Sequence, residues 1–187
     1  MARVNNSYYS ILGILGFGPM SGYGIKTWVD EGVSYFQDID YKQIYPTLKR
    51  LVEDGCATYK LERNGNRPES KVYAITEKGL EELRKWLNKP ITSGKKGNNE
   101  LKLKLFFGYH IPVEKHLEHI NKHKSDTIRS LEAIKQIKEC LQKEAVKDAS
   151  WYYRMTTIMN GEMGLGATIE WCDKAIEYLN TYLVQDI

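Results

Sequence analysis

The chain has 187 residues, 42% hydrophobic and 27% charged, a composition that excludes a disordered or fibrous protein. Its formal net charge of +3 is mildly basic, and alone implies no nucleic-acid partner. The three cysteines, Cys56, Cys140 and Cys172, stand far apart without CxxC or zinc spacing; no apolar run reaches the roughly 20 residues that span a bilayer. A cytoplasmic protein with reduced thiols and no membrane contact is therefore expected.

Tyr8, Ile11, Leu12 and Leu15 fall at helical spacing, and Gly16, Gly18 and Pro19 stop that helix. The apolar run from Ile11 to Phe17 has no small-x-small cleavage site after it, so it reads as a core helix rather than a leader. Ser21 can cap a second helix carrying Ile25, Trp28 and Val29, which Gly32 ends. A third helix spans about residues 40–54, with Ile44, Leu48, Leu51 and Val52 on one face and Gly55 as its stop. A strand from Cys56 to Arg63, a polar turn over residues 64–69 and a return strand from Lys71 to Ile75 form a hairpin. Thr76 to Gly79 opens a fourth helix through Leu80, Leu83, Trp86 and Leu87.

Helix, helix, helix, hairpin, helix is the order of a winged helix-turn-helix. The expected fold is mostly α: an N-terminal winged helix-turn-helix domain with a two-stranded wing (1–90), a Pro/Gly/Ser/Asn/Lys-rich linker (91–99) and a C-terminal helical dimerisation domain (100–187). In such a module the third helix enters the major groove of double-stranded DNA, which carries a readable donor and acceptor pattern. Its outward residues are Tyr41, Lys42, Gln43, Tyr45 and Pro46, with Lys49 and Arg50 a turn later. The small first turn of the second helix, Ser21, Gly22 and Tyr23, lets backbone amides approach a phosphate, and Arg63, Arg67 and Lys71 give the wing positive charge. Asp38 and Asp40 count against a strongly positive footprint, although Asp40 also suits an N-cap. The same fold serves protein docking, so a winged-helix interaction module is the alternative reading.

The run from Ser10 to Ile25, with Gly18-Pro19-Met20-Ser21-Gly22-Tyr23-Gly24 at its end, resembles the opening signature of the PadR family of transcriptional regulators. Gln43 to Leu51, Glu53-Asp54-Gly55, Val72 to Gly79 and Trp86-Leu87 follow in that family's order and spacing, covering roughly residues 8–90. Leu105-Phe106-Phe107-Gly108 and the stretch from Gly166 to Trp171 resemble the all-helical C-terminal dimerisation domain of its larger members. The resemblance implies a homodimeric regulator, usually a repressor, released from its operator by a small molecule. Asp40-Tyr41-Lys42 stands where a small or neutral residue is more usual, leaving the operator sequence open.

The second half reads as two long helices. Leu117, Ile120, Ile128, Leu131, Ile134, Ile137 and Leu141 make one stripe. From Met155, alternating steps of three and four residues select Ile158, Glu162, Leu165, Ile169, Cys172, Ile176, Leu179 and Leu183, a heptad-like seam. Its apolar members are the expected dimer interface, with a monomeric bundle as the alternative. Gly161, Gly164 and Gly166 require either a helix break or a close neighbour. Trp151, Tyr152, Met155 and Met159 lie nearby and are candidates for binding a small aromatic or hydrophobic effector; as core residues they need no ligand.

Enzyme chemistry finds no support. His116, His119 and His123 share one helical face, but no glutamate stands between them in the spacing of the zinc proteases and Lys115, Lys122 and Lys124 would repel a cation, so a solvated polar face and no metal are expected. The cluster Gly16, Gly18 and Gly22 is one residue too long for a dinucleotide fingerprint and follows a helix, so no cofactor is expected. No catalytic residues are assigned.

Overall fold

A computed structural model describes residues 6–31, 39–63, 69–91 and 95–182. The chain forms two compact units, residues 1–90 with 99–112 and residues 91–98 with 113–187.

In the first unit α1 (Asn6–Gly16) is followed by the short strand β1 (Met20–Ser21) and by α2 (Gly22–Glu31). Ser21 Oγ accepts from the Gly24 amide at 3.2 Å, the expected cap. A 3-10 turn over Tyr41–Gln43 leads into α3 (Ile44–Glu53), so the third helix starts with a tighter turn than its periodicity suggests. Asp40 caps that turn, its carboxylate accepting from the Lys42 amide at 2.9 Å. Gly55 ends α3 at φ +71°, in the left-handed region that favours glycine.

Strands β2 (Ala57–Glu62) and β3 (Ser70–Ile75) pair antiparallel from Ala57 opposite Ile75 to Glu62 opposite Ser70. The sheet gains a third strand, since β1 pairs with β3 at Met20–Tyr73 and Ser21–Val72. Two residues are too few for the alternation that reveals a strand, so the sequence showed only the two-stranded wing. Their pairing ties the start of α2 to the wing. Thr76 caps α4 (Glu77–Asn88), its hydroxyl accepting from the Gly79 amide at 3.1 Å.

The core of this unit is built from Ile11, Leu12, Ile14 and Leu15 of α1, Ile25 and Val29 of α2, Ile44, Leu48 and Leu51 of α3, and Leu83, Trp86 and Leu87 of α4. Leu103, Phe107 and Ile111 join it. Here the structure departs from the expected boundary: α5 (Lys95–Phe106) begins inside the segment read as a linker, and 99–112 cluster with the N-terminal unit. The reason lies in Gly13 of α1, where a Cβ would come 2.6 Å from the Phe107 ring. The ring fills the space that the missing side chain leaves. The fully buried Lys104 forms an ion pair with Glu100 at 3.4 Å, donates to the Lys89 carbonyl at the end of α4, and lies 5.3 Å from the centre of the Trp86 ring. These partners offset the cost of burying its charge.

The second unit is an antiparallel hairpin of α6 (Val113–Gln142) and α7 (Ala149–Tyr182). Trp151 Nε1 donates to the Leu141 carbonyl at 2.9 Å, Lys138 pairs with Glu162 at 2.6 Å, and Lys124 pairs with Asp173. Helix α7 runs unbroken through its glycines; a Cβ on Gly161 would lie 2.8 Å from Ile134 Cδ1, whereas Gly164 and Gly166 face open space. The histidine face is corrected by the structure: His116 and His119 are buried, not solvated. The buried line of α6 runs through His116, His119, Ile120, Thr127 and Leu141, and leaves Ile128 and Ile137 exposed. An imidazole is mostly an aromatic body and can line such a seam. Among the described residues no group of three or more His, Cys, Asp or Glu could hold a metal ion, and no helix is long and apolar enough to cross a membrane.

Candidate nucleic-acid interface

The site grows from the amphipathy of α3. Ile44, Thr47, Leu48 and Leu51 face the core, which turns Tyr45, Pro46, Lys49 and Arg50 outward. Pro46 sits in the first turn, where a missing amide hydrogen leaves no helical bond unmade. Tyr41, Lys42 and Gln43 are exposed on the preceding turn, and Gln43 makes no side-chain capping bond. Lys49 and Glu53 form an exposed ion pair at 3.6 Å, too weak to withdraw the lysine from another anion. Arg50 is held differently, 3.6 Å from Asp54 and 5.1 Å from the centre of the Tyr8 ring, on the flank of the helix.

Beside this face lies a notch of about 400 Å³ where α2, α3 and β3 meet. Its walls are Ser21, Gly22 and Tyr23 from the start of α2, Tyr45 from α3, and Ser70, Lys71 and Tyr73 from β3. None of these residues is acidic. Gly22 makes room for the Tyr45 ring, since a Cβ there would stand 2.7 Å from Tyr45 Cε1. Tyr23 is 75% exposed at the mouth of the notch. Lys71 rests its ammonium group 4.1 Å from the centre of the Tyr59 ring, a cation–π contact on the wing.

The structure thus brings Ser21, Gly22, Tyr23, Tyr45 and Lys71 around one hollow, next to the outward row Lys42, Gln43, Pro46 and Lys49. Arg63 is exposed just beyond β2, and Arg67 lies outside the described residues. Tyr41 is turned toward α2: its hydroxyl donates to Asp30 Oδ1, and Lys26 Nζ lies 4.9 Å from its ring centre. That hydrogen bond raises the phenol's pKa above its ordinary value. Sequence reasoning missed Asp30 and Lys26, as well as Ser70 and Tyr73. The alternation of β3 could have placed Tyr73 beside β1, but only the pairing of β1 brings α2 to the wing.

In the second unit, Trp151 and Met155 are half-buried on the first turns of α7, and Tyr152 and Met159 are exposed. Ile158, Leu165, Ile169, Ile176 and Leu179 are half-buried and Cys172 is fully buried; Leu183 lies outside the described residues. Their side of α7 includes Glu162, which pairs with Lys138 of α6, so the heptad seam packs largely within the hairpin. Burial pushes the Cys172 thiol up to about 11, so it is a neutral packing group at ordinary pH.

These elements define a winged helix-turn-helix protein with a long helical hairpin. Residues 11–85 match the "Transcriptional regulator PadR-like family" and residues 98–180 match "Virulence activator alpha C-term". The chain thus carries a PadR-like domain followed by a virulence-activator C-terminal domain, and the PadR-like family is one of transcriptional regulators, not of enzymes.

The chain is 38% identical over 101 residues to the "Negative transcriptional regulator PadR" of Bacillus subtilis (strain 168), covering 53% of this chain and 54% of that protein. The match therefore spans about half of the relative's length. A "Probable transcriptional regulator" of Mycobacterium tuberculosis is 22% identical over 169 residues, covering 85% of this chain and 89% of that protein. Among solved structures, Bacillus subtilis PadR in complex with operator DNA is similar with a TM-score of 0.48 and 22% identity, covering 94% of this chain and 99% of that one. The Vibrio cholerae virulence activator AphA is similar with a TM-score of 0.42 and 23% identity, covering 94% and 98%.

Proposed function

We propose that this chain is a repressor that binds double-stranded operator DNA as a homodimer and leaves it when a small aromatic or hydrophobic effector binds. The observation that carries the DNA reading is the outward face of α3, which offers Lys42, Gln43, Tyr45, Pro46 and Lys49 to solvent while its other face is core. A helix of this kind fits the major groove, where amide and ammonium groups can meet base edges. Lys42 and Gln43 are the base-reading residues, Tyr45 and Pro46 suit thymine methyl groups, and Lys49 and Arg50 serve phosphates. The notch, lined by hydroxyls and Lys71 without a carboxylate, suits a backbone phosphate. Arg63 and Arg67 extend the same role along the wing.

Identity to a negative regulator supports repression over activation. The two-helix unit supports dimerisation: the seam from Ile158 to Leu179 builds the hairpin, and the opposite side of α7 leaves Met159, Met163 and Tyr178 exposed for a second copy. A dimer presents two reading helices to successive major grooves about 34 Å apart. The effector contacts proposed are Trp151, Tyr152, Met155 and Met159.

Binding of the full chain to duplexes derived from the promoter of its own operon tests the reading. Affinity is expected to fall steeply with salt, as lysine and arginine displace counterions. Lys49→Ala should weaken all sequences alike, whereas Gln43→Ala should relax preference at one base pair by about 1–3 kcal/mol. A Gln43→Ala variant that matches the wild type on every duplex variant would refute the reading helix. Absence of DNA binding altogether would favour the protein-docking module.

A further inference from the structure

We infer that Asp30 is a positioning residue for sequence recognition: by holding the Tyr41 hydroxyl it sets the direction in which Lys42 and Gln43 point, without itself touching DNA. The inference rests on the DNA-reading role proposed for the start of α3.

Tyr41, Lys42 and Gln43 form a 3-10 turn with no buried residue of its own, so the core reaches it only through its neighbours Ile39 and Ile44. Ile44, the first residue of α3, is buried and anchors the helix behind it. The turn itself depends on polar ties. Its backbone is closed by the Asp40 carboxylate on the Lys42 amide and by the Gln43 amide donating to the Asp40 carbonyl at 2.8 Å. The Ile44 amide also donates to the Tyr41 carbonyl, so these ties fix the shape of the turn and join it to α3.

Tyr41 supplies a second reference, on α2. Its hydroxyl donates to Asp30 Oδ1, and Lys26 lies 4.9 Å from its ring centre. Asp30 and Lys26 stand four residues apart, on one side of α2. The ring is therefore held at two points, hydroxyl and face, by a helix whose Ile25 and Val29 are core residues. A rigid helix thereby braces the exposed turn. The phenol is also occupied by a carboxylate, which makes Tyr41 a brace rather than a phosphate contact.

Base readout needs donor and acceptor groups aimed to within a fraction of an ångström, whereas phosphate contact tolerates more motion. Loosening the brace should thus lower discrimination more than affinity. Removing the Asp30 charge also lessens repulsion of DNA, but that gain is the same for every sequence and cancels in a ratio of affinities.

The test uses the full chain and two duplexes: one selected by the wild type from a randomised library, and a scrambled duplex of equal composition. The readout is the ratio of the two affinities. Tyr41→Phe and Asp30→Ala are each expected to lower that ratio by about fivefold, the scale of one hydrogen bond. The double variant should be no worse than either, and Asp30→Asn, which keeps an acceptor oxygen, should restore the wild-type ratio. Unchanged ratios in Tyr41→Phe and Asp30→Ala would overturn the inference. So would equal weakening on both duplexes in Tyr41→Phe, which would make the hydroxyl a phosphate contact. A wild type that binds neither duplex would instead overturn the DNA reading, and the brace with it.

Discussion

A methyl group on Gly79 would strike the backbone carbonyl oxygen of Cys56 and crowd Ile75 Cγ1 at 2.8 Å. The same Cys56 oxygen accepts from the Thr76 amide at 3.1 Å, and the Thr76 hydroxyl donates to the Gly55 carbonyl at 2.7 Å while capping Gly79. The end of α3 and the start of α4 are thus pressed together, backbone on backbone, with glycine the one residue that fits. Gly79→Ala should cost roughly 1–3 kcal/mol, as overpacking does. A thermal melt of the full chain followed by helical circular dichroism should show a transition several degrees lower; an unchanged midpoint would contradict the contact. The sequence Thr76-Glu77-Lys78-Gly79 announces a helix start through its cap, which is local chemistry. It says nothing of a carbonyl twenty-three residues upstream, because close approach between backbones leaves no compositional trace. Lys104 is illegible for the same reason: Glu100 is its neighbour one turn back on α5, but only tertiary structure brings it the Lys89 carbonyl and Trp86.

At the scale of elements, local patterns were read well where a stop or cap is written into the chain. The cap at Ser21, the stop at Gly55 and the antiparallel pairing of the wing strands all reappear in the structure. The helical seams were legible as seams but not as partners. A heptad stripe states that a helix face is covered by another helix, and it does not state whose helix that is. Within this chain α6 covers the stripe of α7, and the join is made at the closed end of the hairpin by the Trp151 indole on the Leu141 carbonyl, with Arg154 paired to Glu144 at 2.6 Å beside it. Phenylalanine at 151 keeps an aromatic body but has no donor. Trp151→Phe should therefore destabilise the hairpin by about 1 kcal/mol, the net worth of one hydrogen bond. Urea unfolding with an equal slope and a lower midpoint is the expected result, and coincident curves would assign the indole no structural role. The histidines of α6 show the limit of residue-type reasoning. As polar groups His116 and His119 read as solvent-facing, yet their rings occupy the inner line of the helix.

At the scale of the whole molecule, the outer side of α7 is the feature that one copy leaves unfinished. Met159, Met163 and Trp171 recur at multiples of four residues with Tyr178 seven further on; Met163 is 73% exposed, and Gly164 beside it has open space around it. Such a row on a soluble monomer is a large apolar surface in water, and a two-fold partner is its commonest cover. The small residues Gly164 and Ala167 would let a second helix approach closely. Met163→Glu places a charge in the centre of this row while keeping a good helix former, so the hairpin itself should survive with unchanged helical circular dichroism. If the proposed dimer forms through this row, sedimentation should show a dimer for the wild type and a monomer for the variant. Two linked reading helices gain from binding together, so the monomeric variant should lose about a hundredfold in affinity for a duplex with two half-sites and nothing for a duplex with one. A Met163→Glu protein that remains dimeric and binds both duplexes as the wild type does would move the interface elsewhere, and leave the exposed row of α7 for another occupant.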